Sequence, residues 1–230
     1  MNITGLDIGL IALVYFYVVV IFIGAEKLLK DRPALSRKFV HIMVGNMIFV
    51  MPFFSEALVM ILFITLPVTI AVFFLTEYSP IKIENTVTDA GHALGLFYYA
   101  LVWTILLVIF GVFSNLWVVA LGVGALVYGD GFASLIGAKF GRIKYKISGG
   151  EKSLEGSLSM FVVVAVMSVF IWMFYVAIGY PGIPKFNFTA ILVISALAAI
   201  VEAVSPGGID NVSVSGITVV AYYVLILLKF

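Results

Sequence analysis

Eight apolar runs, separated by short polar clusters, set the pattern of this chain. They cover approximately Leu6–Gly24, Phe39–Phe54, Ala57–Leu75, Ala93–Val112, Leu116–Ile136, Ser157–Gly179, Phe188–Val204 and Val212–Leu228. A helix needs roughly 20 predominantly apolar residues to cross a bilayer, so the second and seventh runs are short for the task. The pattern predicts an all-α, polytopic integral membrane bundle of about eight transmembrane helices. Nothing between the runs is long enough for a soluble domain, and no internal repeat is evident, so residues 1–230 read as a single transmembrane domain. The first run is longer than a signal-peptide core and no basic residue precedes it, so it reads as a retained span.

Composition supports the lipid reading. Of 230 residues, 63% are hydrophobic and 11% charged, where a soluble domain carries about 25% charged residues. Mean hydropathy is +1.22. Cysteine is absent, which removes disulfides and thiolate metal sites, and two histidines without His-x-x-x-His spacing argue against structural zinc. A net charge of +1 provides no global field for nucleic acid.

The placement of charge orients the chain. Lys27, Lys30, Arg32, Arg37, Lys38, Lys82, Lys139, Arg142, Lys144, Lys146 and Lys152 follow the first, third and fifth runs, while the opposite side holds only Lys185 and Lys229. Basic loops stay in the cytoplasm, so both termini are expected on the non-cytoplasmic side. Nearly every polar cluster then faces the cytoplasm. A channel or transporter would more often carry polar groups at the membrane midplane and on both sides. One-sided chemistry points instead to an enzyme fed by a water-soluble substrate.

Each cluster has a chemical and a plain reading. Asp130 closes the fifth run, with Ser134, Gly137 and Gly141 on one helical face beyond it. The glycines serve close helix packing or backbone access to phosphate, whereas a carboxylate at a span end needs a partner, water or a metal. Lys139, Arg142, Lys144 and Lys146 are topology anchors or a polyphosphate cradle. Lys152-Ser153-Leu154-Glu155-Gly156-Ser157 opens the sixth run. Ser153 is a candidate N-cap, and a lysine with two hydroxyls at a helix N-terminus makes a phosphate site; Glu155 is then free to hold a cation or orient a lysine. Glu202 and Asp210 flank Ser205-Pro206-Gly207-Gly208, with Asn211 beside Asp210, where two carboxylates around a tight loop can converge on one metal ion. Asp89 and His92 share a helical face and could orient or deprotonate a hydroxyl. Arg37, Lys38 and His41 form a further basic cluster, read as snorkelling residues or a phosphate contact.

Taken together, Arg37-Lys-Phe-Val-His41, Asp130-Gly-Phe-Ala-Ser-Leu-Ile-Gly-Ala-Lys-Phe-Gly141, Lys152-Ser-Leu-Glu-Gly-Ser157 and Glu202-Ala-Val-Ser-Pro-Gly-Gly-Ile-Asp-Asn211 resemble the polyprenol kinase family, which includes dolichol kinase and the plant phytol and farnesol kinases. The layout is also similar to phosphatidate cytidylyltransferases. Their closing Pro-Gly-His-Gly-Gly and Asp-Arg elements are not reproduced here, because Pro206-Gly-Gly-Ile-Asp210-Asn211 lacks the histidine and the arginine. That departure favours the kinase branch. The chain is short beside a dolichol kinase, which leaves room for a shorter isoprenoid.

The resemblance implies transfer of the terminal phosphate of CTP to a membrane isoprenoid alcohol (dolichol, polyprenol or a shorter prenol), with magnesium as cofactor. It implies Asp130, Glu202 and Asp210 at the metal. Phosphate contacts would come from Lys139, Lys144, Lys152, Ser153 and Ser157, with Ser134, Gly137, Gly141, Glu155, Gly156 and Asn211 contributing to nucleotide binding. Asp130, Asp210, Asp89 and His92 are the catalytic candidates. The expected partners are CTP, the alcohol and the bilayer, without nucleic acid and with homo-oligomerisation left open. The expected location is a prokaryotic plasma membrane with a cytoplasmic active site. The alternatives are CDP-lipid synthesis and, more distantly, small-solute transport.

Overall fold

The computed structural model describes residues 2–74, 76, 78–79, 93–147, 150–206 and 208–227. Among these, eight helical stretches follow the apolar runs. They are α1 (Gly5–Leu28), α2 (Pro33–Phe53), α3 (Ala57–Phe73), α4 (Leu94–Gly111), α5 (Leu116–Phe140), α6 (Leu154–Ala177), α7 (Phe188–Val204) and α8 (Asp210–Leu227). Five of them (α1, α2, α4, α5 and α6) are long and apolar enough to cross a membrane. Large side chains such as Leu6, Ile8, Phe16, Leu158 and Val166 stand exposed along the helices, as expected where the solvent is hydrocarbon. The chain is an all-α polytopic membrane protein.

Its contacts divide into two compact units, Met1–Leu116 and Trp117–Phe230. In the first unit, Thr4 and Asp7 form a capping box at the start of α1. The Asp7 carboxylate also accepts from the Ser55 amide at 2.9 Å and the Ser55 hydroxyl at 2.7 Å, tying α1 to the α2–α3 connection. Helix α2 begins at Pro33, well before the apolar run, because proline suits a first helical turn. Arg37, Lys38 and His41 therefore lie within a helix. Past Gly45 it tightens into 3-10 turns. In α3 a π turn at Ile61–Thr65 precedes Pro67, whose ring and missing N–H disturb the ladder behind it.

The second unit is built on the packing of α5 against α6. Gly129, Ala133, Gly137 and Gly141, four residues apart, make a small-residue stripe. A Cβ on Gly129 would lie 2.6 Å from the Met160 sulfur and 2.6 Å from Val164; one on Gly137 would lie 3.0 Å from the Ser153 hydroxyl. On α6, a Cβ at Gly156 would come within 3.0 Å of the Ala133 carbonyl. Such close approach is how membrane helices gain contact without a hydrophobic driving force.

Between α5 and α6 the chain forms an antiparallel hairpin of β1 (Lys144–Lys146) and β2 (Glu151–Ser153), pairing Lys144 with Ser153, Tyr145 with Lys152 and Lys146 with Glu151. In the sequence this stretch reads as topology anchors or a polyphosphate cradle, without strands. Alternation through Lys144-Tyr145-Lys146 followed by Ser-Gly-Gly carries the hairpin signal in the sequence.

Candidate active site

Asp130 ends a six-residue π turn, Ala125–Asp130, inside α5. The widened turn sets Asp130 beside α7 and α8, both of which pack on it. The residue is only 6% exposed. π turns in otherwise regular helices occur frequently at functional sites. Ser134, one turn on, is exposed, and Lys139 is exposed with its ammonium over the Phe140 ring.

The hairpin carries Lys152 across to α7. Its ammonium donates to the Glu202 carboxylate at 2.7 Å and also to the Glu202 main-chain carbonyl. Glu202 is buried, with Lys152 largely covered above it. Asp130 and Asp210 both lie within electrostatic reach of Glu202. Lys152 and Glu202 are thus paired directly, from β2 and α7, with Asp130 of α5 and Asp210 of α8 within electrostatic reach of the pair. The partnership of Lys152 with Glu202 joins residues 50 apart and carries no local signal in the sequence.

The loop between α7 and α8 is shaped to present Asp210. Gly208 takes φ +91°, which favours glycine. The Asp210 carboxylate accepts from the Gly208 and Asn211 amides, each at 3.0 Å. Ser205 and Ser213 hydroxyls meet at 2.7 Å across the base of the loop, and Asn211 is buried at the start of α8.

Other candidates have structural partners. The Ser153 hydroxyl caps α6 by accepting from the Gly156 amide at 3.2 Å. Tyr145 hydrogen-bonds Ser157, holding the hairpin on α6. Glu155 accepts from the Ile143 amide at 3.3 Å, and the Lys144 ammonium reaches the Gly137 carbonyl at 3.4 Å. Gly137, Gly141 and Gly156 face the α5–α6 contact and Ser153, so their small size is used for packing. Asp89 and His92 lie outside the described residues. Arg37, Lys38 and His41 belong to the first unit.

Among the described residues, no three Asp, Glu or His side chains stand close enough together to hold a metal ion. Of the three carboxylates expected at a metal, Glu202 is engaged by Lys152. Magnesium is ordinarily bound by one or two carboxylates, with water and substrate phosphate completing its octahedron. Asp130 and Asp210 fit that requirement in number and chemistry.

Comparison with known proteins then narrows the family. A probable chloroplastic phytol kinase of Triticum aestivum is 30% identical over 209 residues, covering 84% of this chain and 68% of that protein. The family is thereby established. The chain belongs to the polyprenol and phytol kinase family. A phytol kinase of Synechocystis is 36% identical over 130 residues, which is 54% of this chain and 51% of that protein. Phytol kinase 1 of Arabidopsis thaliana is 29% identical over 206 residues, or 84% of this chain and 66% of that protein. This polyprenol kinase homologue thus aligns with only about half of the Synechocystis protein. No family model matches the chain, and no solved structure matches it.

Proposed function

We propose that the chain is a membrane-embedded prenol kinase that transfers the terminal phosphate of CTP to an isoprenoid alcohol at the cytoplasmic face, with both units acting as one catalytic domain. The observation that supports the reading is the buried Lys152–Glu202 pair, with Asp130 and Asp210 within electrostatic reach of it, in a phytol kinase homologue. Phosphoryl transfer asks mainly for positioning and charge neutralisation, and this set supplies both signs of charge at one point.

In this reading Asp130 and Asp210 hold magnesium, which supplies charge neutralisation to the polyphosphate when bound. Glu202 holds the Lys152 ammonium extended, so that the lysine meets a phosphate already positioned. Lys139, Arg142, Lys144 and Lys146 surround the mouth and attract the nucleotide. Ser153 and Ser157 keep the hairpin and the N-terminus of α6 in register beside it. The glycines act through helix contact, allowing α5 and α6 to bring Asp130 and Lys152 together. Asp89 and His92 remain candidates for receiving the alcohol proton. The basic side facing the cytoplasm of a prokaryotic plasma membrane completes the proposal.

The test is purified protein in lipid nanodiscs with magnesium, γ-labelled CTP or ATP, and alcohols from farnesol through phytol to dolichol. Labelled prenyl phosphate and CDP are expected. Release of pyrophosphate instead would assign the chain to cytidylyl transfer. Asp130→Asn and Asp210→Asn should each lower turnover by about a hundredfold or more, the scale of losing one preorganised electrostatic group. Folded variants with normal turnover would remove both residues from the site.

A further inference from the structure

Lys152 reaches Glu202 from a hairpin of three cross-strand pairs. A two-stranded ribbon is marginal in water by itself, so the position of the lysine depends on what holds the ribbon down. At the open end, the Ile143 carbonyl accepts from the Leu154 amide at 3.0 Å, and Glu155 accepts from the Ile143 amide at 3.3 Å. Those bonds fix where the strands begin and leave the middle of β1 to a side chain.

Tyr145 occupies that middle position, half-buried between two exposed lysines. Residues directly opposite one another in an antiparallel pair share a face, so Tyr145 and Lys152 project together. Tyr145 shares a hydrogen bond with the Ser157 hydroxyl of α6, while Lys152 meets Glu202 of α7. One face of the hairpin therefore plants a residue on each of two helices. On the opposite face the ties are weaker. The Lys144 ammonium reaches the Gly137 carbonyl only at 3.4 Å. Lys146 and Glu151 stand 3.9 Å apart with 71% and 52% of their side chains exposed, a kind of pair that adds little.

We infer that Tyr145 is a positioning residue: bonded to Ser157, it holds β2 toward α7 so that the Lys152 ammonium stays on Glu202 and meets the nucleotide phosphate in place. The phosphate in this inference rests on the prenol kinase reading, which it deepens by naming what fixes the cation. Ser157 then acts through Tyr145, without touching phosphate.

Tyr145→Phe and Ser157→Ala each remove the bond with little change in volume, and two readouts follow on the intact protein in nanodiscs. The first needs no catalysis. An amine-reactive reagent is added without nucleotide, and mass spectrometry follows modification at Lys152, which has 18% of its side chain exposed. Lys152 should react about fivefold faster in either variant, the scale of losing one net hydrogen bond. The double variant should react no faster than either single one, because both substitutions break the same bond. Glu151→Gln, on the opposite face, should leave the rate unchanged. The second readout is kinetic, with γ-labelled CTP and phytol. The KM for nucleotide should rise about fivefold in either single variant, with the KM for phytol unchanged. A merely structural bond would lower the unfolding midpoint and the active fraction without moving the KM for nucleotide.

Faster labelling in the variants of a protein that transfers no phosphate to any prenol would uphold the placement of Lys152 and defeat the kinase reading. An active wild type whose variants change in neither readout would overturn the role of Tyr145 and leave the kinase. Faster labelling with an unmoved KM in an active enzyme would also overturn it. So would a Ser157→Ala effect much larger than that of Tyr145→Phe, which would put the serine on the phosphate itself. Unfolding of both variants would overturn it too, by making the bond a condition of folding.

Discussion

Lys152 and Glu202 could be held together for folding alone, and the two roles separate by substitution. Removing one partner of a buried ion pair strands the other, at a cost of about 3–5 kcal/mol, whereas an apolar replacement of both is often neutral. Lys152→Met and Glu202→Leu should each lower the unfolding midpoint, and the double variant should recover much of it. Phosphate transfer should remain lost in all three, because the double variant restores packing and not the cation. Recovery of activity along with stability would reduce the pair to a structural clamp. In the first unit, Asp7 accepts from Thr4 and Ser55. Asp7→Ala should lower the melting temperature, as read by thermal unfolding, and leave the KM for CTP unchanged.

Among the elements, α5 combines a packing face with the one proposed to carry the reaction. Its stripe from Gly129 to Gly141 lies against α6, and its π turn delivers Asp130. Gly129→Leu should cost about 1–3 kcal/mol through overpacking against Met160 and Val164. Gly24→Ala, where no atom lies within 4 Å of the added carbon, should leave the unfolding midpoint unchanged. The stripe was legible in the sequence as a spacing of four, although its two halves read as separate faces. The π turn was not legible: Ala125-Leu126-Val127-Tyr128 is apolar in either helical register, and only packing against α7 and α8 selects the wider one. The hairpin had a usable signal in alternation and in the Ser-Gly-Gly run, but the charge of Lys144 and Lys146 reads equally well as a phosphate contact.

For the molecule as a whole, hydrophobic length was the dependable signal, and it located the eight helical stretches among the described residues because spans must satisfy their backbone internally. Long-range partnerships were less accessible. Asp130, Glu202 and Asp210 stand out by residue type, yet the pairing of Glu202 with Lys152 depends on where a hairpin lands. The orientation expected from the loop charges can be measured directly because the chain has no cysteine. Asn2→Cys and Lys185→Cys should react with an impermeant maleimide from outside intact cells, and Lys146→Cys only after permeabilisation. The reverse pattern would place the basic clusters on the wrong side for cytosolic CTP.

The central claim is phosphoryl transfer from CTP to a membrane alcohol. The most direct measurement incubates the purified protein in nanodiscs with phytol, magnesium and γ-labelled CTP, then resolves lipid and nucleotide products. The account predicts labelled phytyl monophosphate and an equal amount of CDP, both abolished in Asp130→Asn. Pyrophosphate with a CMP-bearing lipid, or no lipid product from any prenol with either nucleotide, would contradict it.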